Sequence, residues 1–273
     1  MEIARKTGGM RPNRLRQLLQ EGKPTLGTHV ISPWPGIVEV IGHSGAFDYV
    51  EYTGEYSPFS LEQMDNFGRS IELFPAMSSM MKVEEHGRDF IAGRALCAGI
   101  QNILFASCRS ADDVRQCIRL VRPETPQAGG VRGCTMSRSL GYGLWVASDE
   151  WISALNETVV AIMIEKAAAI DNLKQMLAIE GVDMVQFGPA DYSISLGRSW
   201  QPQGAEWQQT QRAMIEVALE MGVAPRVELA SLEQAKPFYE MGVRHFCIGW
   251  DVMVMSGWCR QQADAWQNLR EKG

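Results

Sequence analysis

Two acidic side chains, each placed after an apolar run, are the residues of this chain best spaced to do chemistry. Glu165 ends the run Val159–Glu165, and Asp191 follows Met184–Phe187 across Gly188 and Pro189. Between them, Ala167–Glu180 reads as a helix stopped by Gly181. The three pieces form a β–α–β unit whose carboxylates emerge at one edge of a parallel sheet, the C-terminal edge where α/β folds collect ligands. Paired oxygen donors there suit a hard divalent cation such as Mg²⁺ or Mn²⁺. The same spacing also suits a structural pair, with Glu165 facing a helix N-terminus and Asp191 capping the next turn.

Carboxylates at strand ends need a sheet to hold them. Eight apolar or β-branched runs predict its strands: Thr25–Val30, Phe47–Thr53, Leu73–Ser78, Asn102–Ala106, Val159–Glu165, Met184–Phe187, Ala224–Leu229 and His245–Ile248. Helical patterns fall between most of them: Leu61–Leu73, Val83–Cys97, Ala111–Val121, Ala167–Ile179, Ala205–Met221 and Leu232–Met241, after an opening helix at Arg11–Glu21. Alternating strands and helices, with continuously apolar strands, predict a parallel sheet covered by helices. Eight units predict a closed (β/α)₈ barrel, a TIM barrel of the α/β class, as one domain over residues 1–273 with terminal helical additions. One segment breaks the alternation. Pro123–Ser148, rich in Gly, Arg, Ser and Pro, reads either as a surface excursion or oligomer contact, or as a lid over the barrel mouth.

Composition narrows the partners. The 273 residues include 26 basic and 32 acidic side chains, a net charge of −6 with no long run of either sign, so no nucleic-acid footprint is expected. No apolar stretch approaches the ~20 residues needed to span a bilayer. Met1–Arg16 is polar and basic, unlike a secretory signal, and the six cysteines include no CxxC pair. A reduced, cytoplasmic setting follows, with neither zinc nor a disulfide scaffold.

The chain resembles the metal-dependent (class II) pyruvate aldolases of the HpcH/HpaI aldolase and citrate lyase β-like family from about Leu15 onward. The resemblance rests on Ile164-Glu-Lys166, Gly181-Val-Asp183 and Phe187-Gly-Pro-Ala-Asp-Tyr-Ser193 with Leu196-Gly197. Weaker matches are Gly45-Ala-Phe-Asp48, Gly130-Val-Arg-Gly133 and Ile248-Gly-Trp-Asp251. It implies a phosphoenolpyruvate/pyruvate-type barrel and a divalent metal ion (Mg²⁺, Mn²⁺ or Co²⁺) on Glu165 and Asp191. It also implies substrate carboxylate held near Gly188, Pro189 and Ala190, and a homohexamer that exchanges its C-terminal helix, about 252–271. In such enzymes the metal holds a 2-oxo acid and stabilises the enolate formed when a C–C bond breaks.

Several positions depart from the family's pattern. Tyr56 stands where a general-base His is expected, and Ser78 or Ser79 where an Arg steadies the keto oxygen. His29 replaces a Trp at the end of the first strand, where it either points into the mouth as a substitute imidazole or packs within the barrel. Arg132, Arg138 or Arg226, the last placed at the end of the seventh strand beside Glu228, are candidates for the missing cation. Tyr142 and Trp145 either wall a substrate or pin a loop. The leading expectation is a carbon–carbon lyase acting on a 2-oxo acid. A decarboxylase, a condensing enzyme using the same enolate, and a catalytically degenerate 2-oxo-acid-binding barrel remain open.

Overall fold

The computed structural model describes residues 10–143 and 146–271. Eight parallel strands close into a barrel in chain order: β1 (Thr25–Val30), β2 (Tyr49–Thr53), β3 (Ser78–Val83), β4 (Asn102–Phe105), β5 (Val160–Ile164), β6 (Met184–Phe187), β7 (Ala224–Leu229) and β8 (His245–Trp250). β8 pairs back onto β1, from Thr25↔His245 to His29↔Trp250, which leaves no sheet edge unpaired. The expected (β/α)₈ barrel is the fold that forms. Among the described residues no helix is long and apolar enough to cross a membrane.

The apolar strands face two cores. Their outward residues, such as Val50, Ile103, Ile162 and Val185, pack under the helix ring. Tyr49, Met80, Leu104, Ala161, Met163 and Met184 fill the barrel, with Leu15 of the helix Arg14–Gln20 joining them from the N-terminal end. Arg16 on that helix reaches Asp183 at 2.5 Å and pins it beneath β6.

Three expectations are corrected. The third strand is Ser78–Val83, not Leu73–Ser78: the earlier run is the turn that follows the helix Leu61–Glu72 and the first strand residue. The helix expected over Ala167–Ile179 breaks at Asn172 into Ala167–Asp171 and Leu173–Leu177. The Pro123–Ser148 segment does not cover the mouth of its own barrel. It joins the helix Ala111–Val121 to the helix Asp149–Asn156, and Arg138 within it binds Glu72 at 2.6 Å and the Ala98 carbonyl. Those partners lie at helix C-terminal ends, which in a barrel belong to the N-terminal face. Trp145 of this segment lies outside the described residues, and Tyr142 is exposed.

Candidate active site at the barrel mouth

Glu165 follows β5 directly and is buried. Its Oε1 accepts the Ser107 backbone N–H at 2.6 Å, and Ser107 holds a left-handed φ of 58° just beyond β4. A β-carbon on Gly188 would sit 2.7 Å from Glu165 Oε2, so only a glycine lets the loop pass this close to the carboxylate. Burial pushes the Glu165 carboxyl up, while Lys82 and the Ser107 N–H pull it back. Asp191, in the first turn of the helix Pro189–Ser195, is close enough to add to that rise, and binds Lys166 at 2.8 Å.

The loop between them differs from expectation in one detail. The Gly188 N–H donates to the Ile164 carbonyl at 3.0 Å, and Pro189 has no N–H. Only the Ala190 and Asp191 N–H groups stay free of intrahelical acceptors at this helix start.

Lys82, near the end of β3 and in register with Thr53, brings a cation that the sequence reading missed. Its ammonium pairs with Glu55 at 2.5 Å, donates to the Tyr56 hydroxyl at 3.0 Å and lies over the Tyr56 ring. Burial alone would lower its pKa, but Glu165, Tyr56 and Glu55 outweigh it and hold the ammonium well above the ordinary range. Tyr56 is 48% exposed, and desolvation pushes its phenol up to about 12 against the pull of Lys82. At neutral pH it therefore keeps its proton.

Beside this pair, three rings stack. Tyr56 lies on Trp250 at 5.8 Å and 20°, and Trp250 on His29 at 5.0 Å and 27°. Trp250 Nε1 donates to Glu228 at 2.8 Å, and Gln186 donates to the other oxygen of Glu228 at 2.9 Å. His29 is covered rather than open to the mouth. Its Nδ1 lies 3.3 Å from Glu51, and its Nε2, buried and unpartnered among the described residues, stands 3.7 Å from Glu228.

Two further expected residues lie elsewhere. Ser78 opens β3 at the N-terminal face, bonded to the Leu15 N–H at 3.0 Å and to Asn13, so it cannot meet a ligand at the mouth. Arg226 is the third residue of β7, not its end, and is fully buried inside the barrel. Its guanidinium is spent on Glu51, Gln186 and the Tyr49 hydroxyl, the last at 2.7 Å. Burial disfavours ionised Glu51, but Arg226 and His29 outweigh it and hold its carboxyl below the usual range. Arg132 and Arg138 belong to the N-terminal face with their segment and do not reach the mouth.

What the mouth gathers is thus Glu165, Asp191, Lys82, Tyr56, Glu55 and Trp250. A lysine within an apolar run, Met80-Met-Lys-Val83, was the available signal for Lys82; Trp250 lay in the matched Ile248-Gly-Trp-Asp251.

A sequence model described as HpcH/HpaI aldolase/citrate lyase matches residues 61–256. The chain is 28% identical over 251 residues to a 4-hydroxy-2-oxo-heptane-1,7-dioate aldolase of Escherichia coli, covering 89% of this chain and 91% of that protein. It is 26% identical over 252 residues to a hydroxypyruvate/pyruvate aldolase of Paraburkholderia phytofirmans, covering 91% and 95%. A crystal structure of an HpcH/HpaI aldolase/citrate lyase family protein from Burkholderia cenocepacia superposes with a TM-score of 0.83 at 24% identity, over 95% of this chain and 100% of that one.

Proposed function

The chain belongs to the HpcH/HpaI aldolase/citrate lyase family, and on that premise we propose that it is an aldolase-type carbon–carbon lyase acting on a 2-oxo acid, with a divalent cation held by Glu165 and Asp191. The observation that carries this reading is the buried Glu165 carboxylate: one oxygen is tied to the Ser107 N–H and the other lies against Gly188, one strand from Asp191. Burial raises this carboxyl despite Lys82 and the Ser107 N–H, so its charge is incompletely compensated, and hard oxygen donors fit Mg²⁺ or Mn²⁺, with Co²⁺ as a substitute. When bound, such an ion supplies Lewis-acid stabilisation of negative charge on a 2-oxo oxygen.

The chain's own groups do the rest. Lys82, permanently protonated, points charge at the oxyanion that develops on the departing or accepting carbonyl, and Glu55 fixes the direction of its ammonium. The Tyr56 hydroxyl holds its proton and donates to an oxygen rather than taking a proton from carbon. The Ala190 and Asp191 N–H groups, at the start of a helix, receive the substrate carboxylate, and Pro189 fixes the backbone there. His29, beneath Trp250, is a positioning residue that holds the Trp250–Glu228 wall. Around this site we infer one barrel domain whose C-terminal helix is exchanged in a homo-oligomer, of hexameric order, and a cytoplasmic setting in keeping with its unpaired cysteines.

A second reading is decarboxylation of a 2-oxo dicarboxylic acid. It is favoured by the burial of His29 and by the proton-retaining Tyr56, since loss of CO₂ needs electron withdrawal but no side-chain base. One experiment separates the readings. Pyruvate incubated in D₂O with enzyme and Mn²⁺ should exchange methyl protons, and a 4-hydroxy-2-oxo acid should release pyruvate, both only with the cation. Turnover of oxaloacetate without cleavage of the hydroxy-oxo acid would select the decarboxylase. Pyruvate binding with no exchange and no turnover would reduce the chain to a binding barrel.

A further inference from the structure

On the N-terminal face, away from the mouth, the Pro123–Ser148 segment, the residues before β4 and the helix Asp149–Asn156 enclose a cavity of about 610 Å³. That is the size of a small-molecule site, about 300–1,000 Å³. Its wall carries Arg11, Gln101, Arg132, Thr135 and Ser137, with Arg94 exposed at the rim. Arg11 Nε and Nη1, Arg132 Nε and Gln101 Oε1 are buried and have no hydrogen-bond partner among the described residues; the same is true of Nε on the adjacent Arg138. Unpaired guanidinium N–H groups around one hollow are costly, and a ligand that accepts from them removes the cost, while the Gln101 oxygen calls for a donor.

Four carboxylates line the cavity, and two of them are already paired. Glu72 faces Arg138 at 2.6 Å, and Glu157 faces Arg16 at 3.8 Å and accepts from Gln20. Asp149 and Glu150 lie exposed in the first turn of their helix. Burial lowers Arg11 to about 10, with Glu72 opposing and Arg138 adding to the fall, and burial and Arg94 lower Arg132 as well.

We propose that this cavity binds a small multivalent oxyanion, a phosphate group or a dicarboxylate, through the guanidinium N–H groups of Arg11 and Arg132, with Thr135 and Ser137 as further donors. Arginine presents paired N–H groups matched to the oxygens of phosphate and carboxylate, and charge-assisted bonds of this kind are the strong ones. The proposal does not depend on the lyase reading.

Calorimetric titration of the full chain at constant ionic strength tests it, using inorganic phosphate, glycerol phosphate and malonate, with chloride as the background salt. At least one of the three should bind saturably, and the preferred one tells whether the natural ligand is free phosphate, a phosphate ester or a dicarboxylate. Arg132→Gln should weaken binding at least about tenfold, and Lys236→Gln, an exposed control, should leave it unchanged. The Arg132 side chain donates to no described residue, so this variant should keep its fold even if Arg11→Gln, which frees the Phe74 and Met77 carbonyls, does not. Glu165→Gln should bind the anion as the native chain does, which separates this site from the mouth. No saturable binding of any of the three, or binding undiminished in Arg132→Gln, would overturn the proposal.

Discussion

The ammonium of Lys82 lies 3.0 Å from the Tyr56 hydroxyl, against Glu55, and within the field of Glu165. A fixed charge so placed in a partly desolvated pocket acts where negative charge develops, and removing one such donor costs about 10²–10³ in rate. Lys82→Met should therefore lower kcat by about 10²–10³, with some loss of stability because Glu55 loses its buried partner, and Lys82→Arg should restore part of both. Steady-state cleavage of a 4-hydroxy-2-oxo acid measures both, and a fully active Lys82→Met enzyme would remove this residue from the mechanism. His29→Ala should cost far less than the 10²–10⁴-fold expected of a general base, because the ring is covered by Trp250. Gly188 acts by what it lacks. In Gly188→Ala the new carbon would press on Glu165 Oε2 from 2.7 Å, and a displaced ligand of that kind should cost about 10²-fold in kcat while the melting curve stays near native.

Strand alternation was legible because parallel barrel strands are buried on both faces and read as plain apolar runs, and Glu165 and Asp191 were found at the strand ends where that pattern put them. β3 was not, because its interior lysine interrupts the run, whereas Leu73–Ser78 is apolar for helix-end packing; the one-element shift put Ser78 in the site and hid Lys82. Arg226 misled for a similar reason. A charged residue in a strand reads as an end, but here Glu51 on β2 and Gln186 on β6 satisfy it across the barrel. Cutting one partner from such a pair leaves a buried unpaired charge, so Arg226→Ala should lose about 3–5 kcal/mol of stability, measured by urea unfolding. Arg226→Met combined with Glu51→Leu should recover much of it; equal loss in the single and double variants would mean that packing, not charge, accounts for the effect. The Pro123–Ser148 segment was readable as functional but not as to which end of the barrel it serves. Its place after a helix and before β5 decides that, since such connections close the N-terminal face.

At the scale of the whole chain, the helix Asp251–Arg270 buries none of its residues, and Trp258 and Trp266 are each 60% exposed. Asp251 clamps the helix start to the β1 loop through the Ile31 and Ser32 N–H groups, at 3.0 and 2.9 Å, while the rest exposes apolar side chains of the kind that mark an interaction surface. Light scattering should show an oligomer at micromolar concentration, and truncation before Asp251 should dissociate it; a stable native monomer would contradict the exchanged helix. Stability should also depend on pH through His245, which burial and then Arg244 lower from 6.5 to about 4. Between about pH 4 and 6.5 the unfolded chain binds a proton there that the folded chain does not, so stability rises with pH across that window. That difference corresponds to about 3 kcal/mol, which His245→Gln should remove from the change in unfolding free energy across the window. The most direct test of the account is Mn²⁺ binding to the intact protein, followed by electron paramagnetic resonance in the native chain, Glu165→Gln and Asp191→Asn. The native chain should take up one ion per subunit, and each variant should lose at least about tenfold in affinity, as expected when a charged ligand is removed; native affinity retained in both variants would contradict the proposed site.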